Sequence, residues 1–288
     1  MSASEDRLKS LRREIDEIDD KLHDLIMARM ETVAKIGKAK SADNQEILRP
    51  AREAAIQRRL VERHRGAFPR IGLVRIWREL ISASIAAQGE FRVAVYVPDG
   101  SHGTIELARE EYGSATPLLV CRSVGEVIGL VSDGKAAVGV LPLPRVEDKE
   151  PWWRNLVATA KAVPKVVARL PFAGVRNGPD GDVEALAIAF APFEATGADR
   201  TLLMFEATAE VSRALLSSAL ASAGLKLSYM DVRAERGDTW LIFVEIDDYV
   251  GTEDERLGRF LLSRGLAISR VHHVGGYPRP FDPAALKA

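Results

Sequence analysis

The stretch LKSLRREIDEIDDKLHDLIMARMETVAKIGKAK, residues 8–40, decides how the N-terminal part of the chain folds. Its apolar residues recur at alternating steps of three and four, the spacing of one helix face: Leu8, Leu11, Ile15, Ile18, Leu22, Leu25, Val33 and Ile36. Glycine and proline are absent before Gly37. The pattern therefore predicts one continuous helix to about Lys40, roughly 50 Å long at about 1.5 Å per residue.

Two shorter helices follow this long one. After a polar loop at residues 41–45, a second helix is predicted to begin at Pro50 and to stop at Gly66. A third, predicted after Pro69, ends near Gly89. Two short helices cannot cover an apolar stripe about 50 Å long. The geometry therefore predicts that a second copy of the chain covers the rest, as an intertwined homodimer.

The pattern changes at Phe91 to strands that alternate with helices. The predicted strands are residues 91–97, 117–121 and 136–141, and the predicted helices are residues 104–112 and 124–131. This alternation is typical of an α/β layer with parallel strand pairs. Residues 146–161 are charged, contain Trp152 and Trp153, and are left unassigned.

The last region is predicted to begin near Ala198. Its expected elements are strand 201–207, helix 209–223, strands 226–234 and 239–246 around the turn 235–238, helix 253–264 and strand 266–271. This β-α-β-β-α-β order is ferredoxin-like. The sequence thus predicts three regions: an all-helical one at residues 1–90, an α/β one at residues 91–195, and an α+β one at residues 196–288.

The composition excludes several classes of protein. The net charge is −1 over 288 residues, which argues against a general binder of nucleic acid or membrane surfaces. The single cysteine, Cys121, cannot form an internal disulfide and suits a reducing compartment. The histidines are scattered or, like His272 and His273, lack nearby cysteines, so we expect no metal site. A charged N-terminus from Glu5 and the lack of a long apolar run predict a cytoplasmic protein.

Several polar residues occupy positions on the apolar stripes where a buried side chain is expected. Arg29 and Lys40 extend the first stripe, Ser84 and Gln88 extend that of the third helix, and Arg52 and Glu53 open the second helix. Burying such charges without a partner costs several kcal/mol. Any single one is explained by a long side chain that reaches solvent from the stripe edge. For a set spread over three helices that explanation is weaker, and the residues are expected to pair either with one another or with a shared ligand.

These residues carry a resemblance to the AroQ-type chorismate mutases over residues 8–88. The matching runs are Leu11-Arg-Arg-Glu-Ile-Asp-Glu-Ile-Asp-Asp-Lys-Leu, Ala28-Arg29, Gly37-Lys-Ala-Lys40, Arg49-Pro-Ala-Arg52-Glu53 and Ser84-Ile-Ala-Ala-Gln88. The resemblance implies conversion of chorismate to prephenate in phenylalanine and tyrosine biosynthesis. That rearrangement is pericyclic, with no covalent intermediate and no proton transfer, so neither a metal nor a cofactor is expected.

The resemblance also implies a role for each site residue. Arg29, with Arg12 from the second subunit, would clamp the two carboxylates of the substrate. Lys40 and Gln88 would donate hydrogen bonds to its ether oxygen, and Glu53 would accept one from the ring hydroxyl. Arg52 and Ser84 would complete the pocket. Arg49 departs from members that carry a carboxylate there, and it is expected to face solvent rather than substrate.

Residues 91–288 resemble prephenate dehydratase followed by an ACT domain. The resembling runs are Val93-Ala-Val-Tyr-Val-Pro-Asp-Gly-Ser-His-Gly, Ala137-Val-Gly-Val-Leu-Pro, Thr196-Gly-Ala-Asp-Arg-Thr and Gly275-Gly-Tyr-Pro-Arg. The catalytic runs differ, because Leu143-Pro-Arg replaces Glu-Asn-Ser and Glu184-Ala-Leu replaces Thr-Arg-Phe. Residues 91–195 also suffice for only one of the two lobes around a dehydratase cleft. The region is therefore expected to be non-catalytic.

The ACT-like region leaves two alternatives open. Its effector-binding runs are replaced by Ser212-Arg-Ala-Leu and Asp231-Val-Arg-Ala, so it is either a site for an aromatic amino-acid effector or a dimerisation scaffold. The run Gly100-Ser-His-Gly is either an anion cradle or, more simply, a turn.

Three other functions compete with a mutase that has a regulatory or structural tail. They are a bifunctional chorismate mutase–prephenate dehydratase, a non-enzymatic amino-acid sensor, and isochorismate pyruvate lyase, which shares the helical fold. The set Arg12, Arg29, Lys40, Glu53 and Gln88 argues against the sensor, because a scaffold has no need of buried charges.

Overall fold

The computed structural model describes residues 3–42, 46–97, 103–149, 151–157, 163–174, 183–235, 239–263 and 265–287. The expected turns at residues 98–102 and 236–238 and most of the loop at 41–45 lie outside these ranges. The described part opens with three helices, α1 (Ala3–Ala42), α2 (Pro50–Arg63) and α3 (Arg70–Ala86). The predicted all-helical N-terminal region is confirmed, and Pro50 does occupy the first turn of α2.

The rest of the chain builds one nine-stranded sheet. Its strands are β1 (Val93–Tyr96), β2 (Leu118–Cys121), β3 (Val138–Pro142), β4 (Lys165–Leu170), β5 (Ala185–Ala189), β6 (Asp199–Ala207), β7 (Leu227–Ala234), β8 (Trp240–Ile246) and β9 (Ile268–Pro278). The helices that follow α3 are α4 (Gly103–Tyr112), α5 (Val124–Ser132), α6 (Arg213–Ser222), α7 (Glu255–Leu261) and α8 (Pro283–Leu286), with a short 3₁₀ helix at Trp152–Leu156. The strand order is β2-β1-β3-β5-β4-β9-β6-β8-β7.

The first half of this sheet is only partly what the sequence predicts. Strand β1 lies parallel to both β2 and β3, as expected of an α/β layer. Strands β4 and β5 are additional, and β5 runs antiparallel to both of its neighbours. All five residues of β5 are buried, so this strand has no polar face that an alternating pattern could reveal.

The second half follows the ferredoxin-like order that the sequence predicts. The elements β6-α6-β7-β8-α7-β9 succeed one another, and β6 pairs antiparallel with both β8 and β9. Strand β9 continues to Pro278, well beyond the predicted end at residue 271. The additional residues of β9 bring it alongside β4.

The two halves of the sheet meet where β4 and β9 lie parallel. Val166 of β4 is in register with Gly275 of β9. Gly275 has φ +132°, and a Cβ atom there would lie 2.2 Å from the carbonyl oxygen of Val166. Only glycine allows the two backbones to approach this closely.

The tryptophan pair that the sequence leaves unassigned seals one face of the sheet. Trp152 and Trp153 lie on the short 3₁₀ helix and are both buried. The Trp153 ring stacks on Phe243 of β8 with centroids 5.0 Å apart. The indole of Trp152 donates to the carbonyl oxygen of Pro142 at 3.0 Å. One core cluster therefore includes side chains from both halves of the sheet.

The helical region packs directly against the sheet. Arg58 of α2 donates to Thr196 Oγ1 at 2.7 Å and to the carbonyl oxygens of Ala198 and Arg279 at 2.8 and 2.9 Å. Glu79 of α3 accepts from the backbone N–H of Ser114 at 3.0 Å. Polar contacts thus fix α2 and α3 to both halves of the sheet.

Within the described ranges, no helix combines the length and apolar character needed to cross a bilayer.

Gly139 of β3 tests how closely α5 packs on the sheet. A Cβ atom there would lie 2.6 Å from Val127 Cγ1 and 2.9 Å from Ile188 Cγ1. We expect Gly139→Ala to lower the free energy of unfolding by about 1–3 kcal/mol through overpacking. Gly129→Ala is the matched control, because a Cβ there meets no atom within 4 Å and the change favours the helix. Urea unfolding measures both, and equal stabilities would contradict the packing.

Candidate active site

The packing of α1 on α3 brings Arg29 and Ser84 together. Arg29 Nη1 donates to Ser84 Oγ at 2.5 Å and to the carbonyl oxygen of Leu80 at 3.2 Å. Ser84 is buried, and partial burial lowers the pKa of the Arg29 guanidinium. A partly desolvated guanidinium on the inner side of the helix pair is suited to a carboxylate ligand.

Gln88 lies one turn beyond Ser84, just after the end of α3, and its side chain lies against Gly37 of α1. A Cβ atom at Gly37 would lie 3.0 Å from Gln88 Cγ, so the glycine makes room for this side chain. Gln88 Nε2 donates to the carbonyl oxygen of Ser84 at 2.8 Å. Its Oε1 is buried and has no hydrogen-bond partner among the described residues.

Lys40 ends α1 beside the same helices. Its Nζ donates to the carbonyl oxygens of Glu46 and Ile47, each at 3.1 Å. Burial lowers its pKa, the positive charge of Arg49 lowers it further, and the negative charge of Glu53 opposes both. Lys40 and Glu53 are therefore near enough to interact electrostatically.

Glu53 is a buried carboxylate in the first turn of α2. Its Oε2 accepts from Arg78 Nη1 at 2.8 Å. Its Oε1 is buried and has no partner among the described residues. An unpaired carboxylate oxygen inside a protein costs free energy unless a donor, such as a ligand hydroxyl, satisfies it.

Arg49, whose role the resemblance leaves open, is half-buried and forms an ion pair within the chain. Its Nη2 lies 2.6 Å from Glu194 Oε1, and its side chain is only 33% exposed. Glu194 belongs to the segment between β5 and β6, so the ion pair ties the start of α2 to the sheet region.

Two predicted site residues lie apart from this group. Arg52 is exposed on α2, and Arg12 is exposed near the start of α1. Arg12 precedes Arg29 by 17 residues, which is about 25 Å along a straight helix. Within one chain, Arg12 therefore cannot reach the ligand that Arg29 would bind.

Sequence reasoning missed a buried charge cluster behind Glu53, which we call the Arg78 cluster: Arg78, Glu53, Gln57 and Glu111. Arg78 Nη1 lies 3.2 Å from Glu111 Oε1 of α4 as well as bonding to Glu53. Gln57, with its amide oxygen turned to Arg78, accepts from Nε at 2.5 Å. Arg78 follows Val74 and precedes Ile81 at helical spacing, so a second, buried row on α3 was the available signal.

The residues at the effector-motif positions of the ferredoxin-like region bond to other groups of the same chain. Arg213 Nη1 donates to the carbonyl oxygen of Met230 at 3.3 Å, and Arg233 Nη2 donates to that of Val146 at 2.6 Å. Ser212 caps α6 by accepting from the N–H of Leu215 at 3.4 Å. Asp231 is fully buried and lies 2.8 Å from Arg233 Nε, two residues along the same strand. Among the described residues, no group of three or more His, Cys, Asp or Glu side chains is placed to hold a metal ion.

Two groups of predicted site residues are thus formed: Arg29, Ser84 and Gln88 are joined by hydrogen bonds, and Lys40 interacts electrostatically with Glu53. Arg29 is a donor suited to a ligand carboxylate, and Lys40 and Gln88 can donate to a ligand oxygen. Glu53 offers a buried acceptor. Such an arrangement can bind a small dianion that carries a hydroxyl group and can stabilise negative charge that develops on it.

The comparisons with known proteins agree with this geometry. Residues 11–89 match the family model described as chorismate mutase type II. The bifunctional chorismate mutase/prephenate dehydratase of Aquifex aeolicus (strain VF5) is 33% identical over 142 residues, which cover 48% of this chain and 39% of that protein. The protein of the same description from Pseudomonas aeruginosa is 29% identical over 146 residues, which cover 49% of this chain and 40% of that protein. The chain thus spans about two fifths of the length of these curated relatives.

A solved structure supports the fold of the C-terminal part. The structure titled "GqqA- a novel type of quorum quenching acylases" matches with a TM-score of 0.51 at 15% identity, covering 69% of this chain and all of that one. At this identity the likeness concerns the fold alone.

The pH dependence of chorismate turnover tests Lys40 and Gln88. Gln88 needs no proton, so we expect little change across neutral pH. Lys40 donates only when protonated and its pKa is lowered, so activity should fall as pH rises, earlier than for an ordinary lysine. Lys40→Arg, which stays charged, should remove that alkaline fall, whereas Lys38→Arg on the exposed face should not. Initial rates between pH 6 and 10 measure this, and a steep fall just above pH 6 would contradict both roles.

Proposed function

We propose that this protein converts chorismate to prephenate through the chorismate mutase type II domain of residues 11–89. The observation that carries the proposal is the pairing of predicted site residues between helices: Arg29 of α1 donates to Ser84 of α3, and the charge of Glu53 of α2 acts on Lys40 of α1. Gln88 joins the first pair by donating to the carbonyl oxygen of Ser84. A region that only holds subunits together gains nothing from a buried Glu53 oxygen that lacks a partner among the described residues.

The chemistry requires positioning and electrostatics. Chorismate must be held in its compact pseudo-diaxial form while negative charge grows on the breaking ether oxygen. Arg29, already oriented by Ser84, would bind one substrate carboxylate. Lys40 and Gln88 would donate to the ether oxygen, where their hydrogen bonds strengthen as the bond breaks. The unpaired Oε1 of Glu53 would accept from the ring hydroxyl.

The second carboxylate needs a cation from another chain. Arg12 lies about 25 Å from Arg29 along α1. The apolar stripe of α1 is exposed, with Leu11 48%, Ile15 56% and Leu25 67% accessible. A second copy laid along this stripe would bury it and deliver its own Arg12 to the site of the first. These exposures support the intertwined homodimer, with Arg52 at the mouth of each pocket.

The remainder of the chain would serve as a regulatory or structural tail. We divide it at residues 91–195 and 196–288, beside the mutase region of residues 1–90. Where dehydratases carry Thr-Arg-Phe, the first residue here, Glu184, pairs with Arg169 at 2.9 Å. The ferredoxin-like region keeps the architecture of an ACT domain, so an aromatic amino-acid effector is a fitting ligand to test.

A bifunctional mutase–dehydratase is the second candidate. It is favoured by the curated relatives, whose aligned length of 142 residues exceeds the mutase match. It is opposed by the changed motifs at Leu143 and Glu184. Assay of phenylpyruvate separates the two candidates.

The first experiment gives the purified chain chorismate and assays prephenate and phenylpyruvate separately. We expect prephenate alone. Arg29→Ala should reduce turnover on the order of a hundredfold or more, because it removes a charged contact to the reacting anion. Arg13→Ala, an exposed arginine on the same helix, is the matched control and should retain activity. Phenylpyruvate would favour the bifunctional enzyme, and no turnover would favour a sensor.

Mixing two inactive variants tests the shared site. Arg12→Ala and Arg29→Ala each spoil every site of a homodimer. A mixed dimer, however, contains one site with both arginines intact. We expect an equimolar refolded mixture to recover about a quarter of wild-type activity, from the binomial share of mixed dimers in a two-fold assembly. A mixture as inactive as its components would contradict a site built from two chains.

A further inference from the structure

Arg78 links the mutase helices to the sheet region through two carboxylates. It lies on α3, is only 7% exposed, and bonds to Glu53 of α2 at 2.8 Å. The same nitrogen lies 3.2 Å from Glu111, which belongs to α4. Glu111 in turn accepts from the backbone N–H of Phe172, just after β4, at 3.4 Å. The Phe172 ring lies 5.8 Å from the Arg78 guanidinium carbon.

We propose that Arg78 and Glu111 are positioning residues for Glu53, so that the α/β region completes the mutase site. This proposal rests on the mutase function proposed above. It assigns a role in the reaction to α4, which lies outside the residues 11–89 that match the mutase family.

The bonding of Glu53 supports this role. One of its oxygens is fixed by Arg78, and the other is buried without a partner among the described residues. The guanidinium therefore sets which oxygen is left for the substrate hydroxyl.

Glu111 limits how strongly Arg78 holds Glu53. The charged or titratable groups that act on Glu53 are Lys40 of α1, Arg78 of α3, and Glu111 and Tyr112 of α4. Two carboxylates share one guanidinium, and burial raises the pKa of Glu111. With Glu111 neutralised, Arg78 would bind Glu53 more tightly and weaken it as an acceptor for the substrate.

The Glu111→Gln variant tests the contribution of Glu111, which lies farther from Arg78 than Glu53 does. We expect KM for chorismate to rise about threefold or more with little change in kcat, because the hydroxyl contact exists in both ground state and transition state. Glu110→Gln, the same change at an exposed neighbour on α4, is the matched control. Both variants are first compared with wild type for thermal unfolding.

The double variant Arg78→Met with Glu111→Gln tests the hydrogen bond from Arg78 to Glu53. It removes the cation without leaving Glu111 as a second unpaired carboxylate. We expect kcat/KM for chorismate to fall on the order of a hundredfold, because Glu53 loses the donor that fixes one of its oxygens. Adding the same two changes to Glu53→Gln should cause little further loss, because the contact that they serve is already gone. A purely structural role for Arg78 would instead lower the activity of Glu53→Gln further.

The outcomes separate this proposal from the function on which it rests. A folded double variant with wild-type kcat/KM overturns the positioning role, and so does a further large loss when its two changes are added to Glu53→Gln. If the double variant does not fold, the Glu111→Gln variant is the test. A KM for chorismate equal to that of Glu110→Gln then overturns the positioning role. Either result leaves the proposed mutase function unaffected, because the wild-type chain is still active. An inactive wild type rejects the proposed function, and the role of Arg78 falls with it.

Discussion

The arrangement of the whole chain depends on a guanidinium buried between two carboxylates. Arg78 is almost fully buried, and an ion buried without partners would cost several kcal/mol. Its partners Glu53 and Glu111 come from α2 and α4, so burial of the charge requires the helical region and the sheet region to be docked. The ion pair of Arg49 and Glu194 and the hydrogen bonds of Arg58 reinforce the same contact. The mutase-like region is therefore held as part of a larger body.

The first helix obeys a different constraint. In its C-terminal half, Arg29, Gly37 and Lys40 contact α3 or the approach to α2. Its N-terminal half presents leucines and isoleucines to solvent, an arrangement that soluble chains rarely leave uncovered. The two halves of α1 thus differ in their surroundings. Under the proposed function, the C-terminal half would contribute to the site of its own chain and the N-terminal half to that of a second copy.

Much of the fold and site could be predicted, because those parts depend on local patterns. Local sequence patterns indicate three such features: the apolar stripe of α1, Pro50 at the start of α2, and the polar residues Arg29 and Ser84 that interrupt the apolar stripes. Strand β5, with the sequence ALAIA, is buried on both faces and alanine-rich, so neither its period nor its propensity indicates a strand. Arg78 was missed for another reason. Its partner Glu111 is 33 residues away, and no local pattern predicts so distant a pairing.

The seam between β4 and β9 has a consequence for synthesis of the protein. Val166 cannot pair until Gly275 has been synthesised, and Gly275 lies 109 residues later in the chain. At about 5–20 residues per second, that delay is on the order of 5–20 s. During it, the edge of β4 carries unpaired backbone groups, which are a template for wrong pairing with other chains. A nascent chain of this architecture is most in need of a chaperone in that interval.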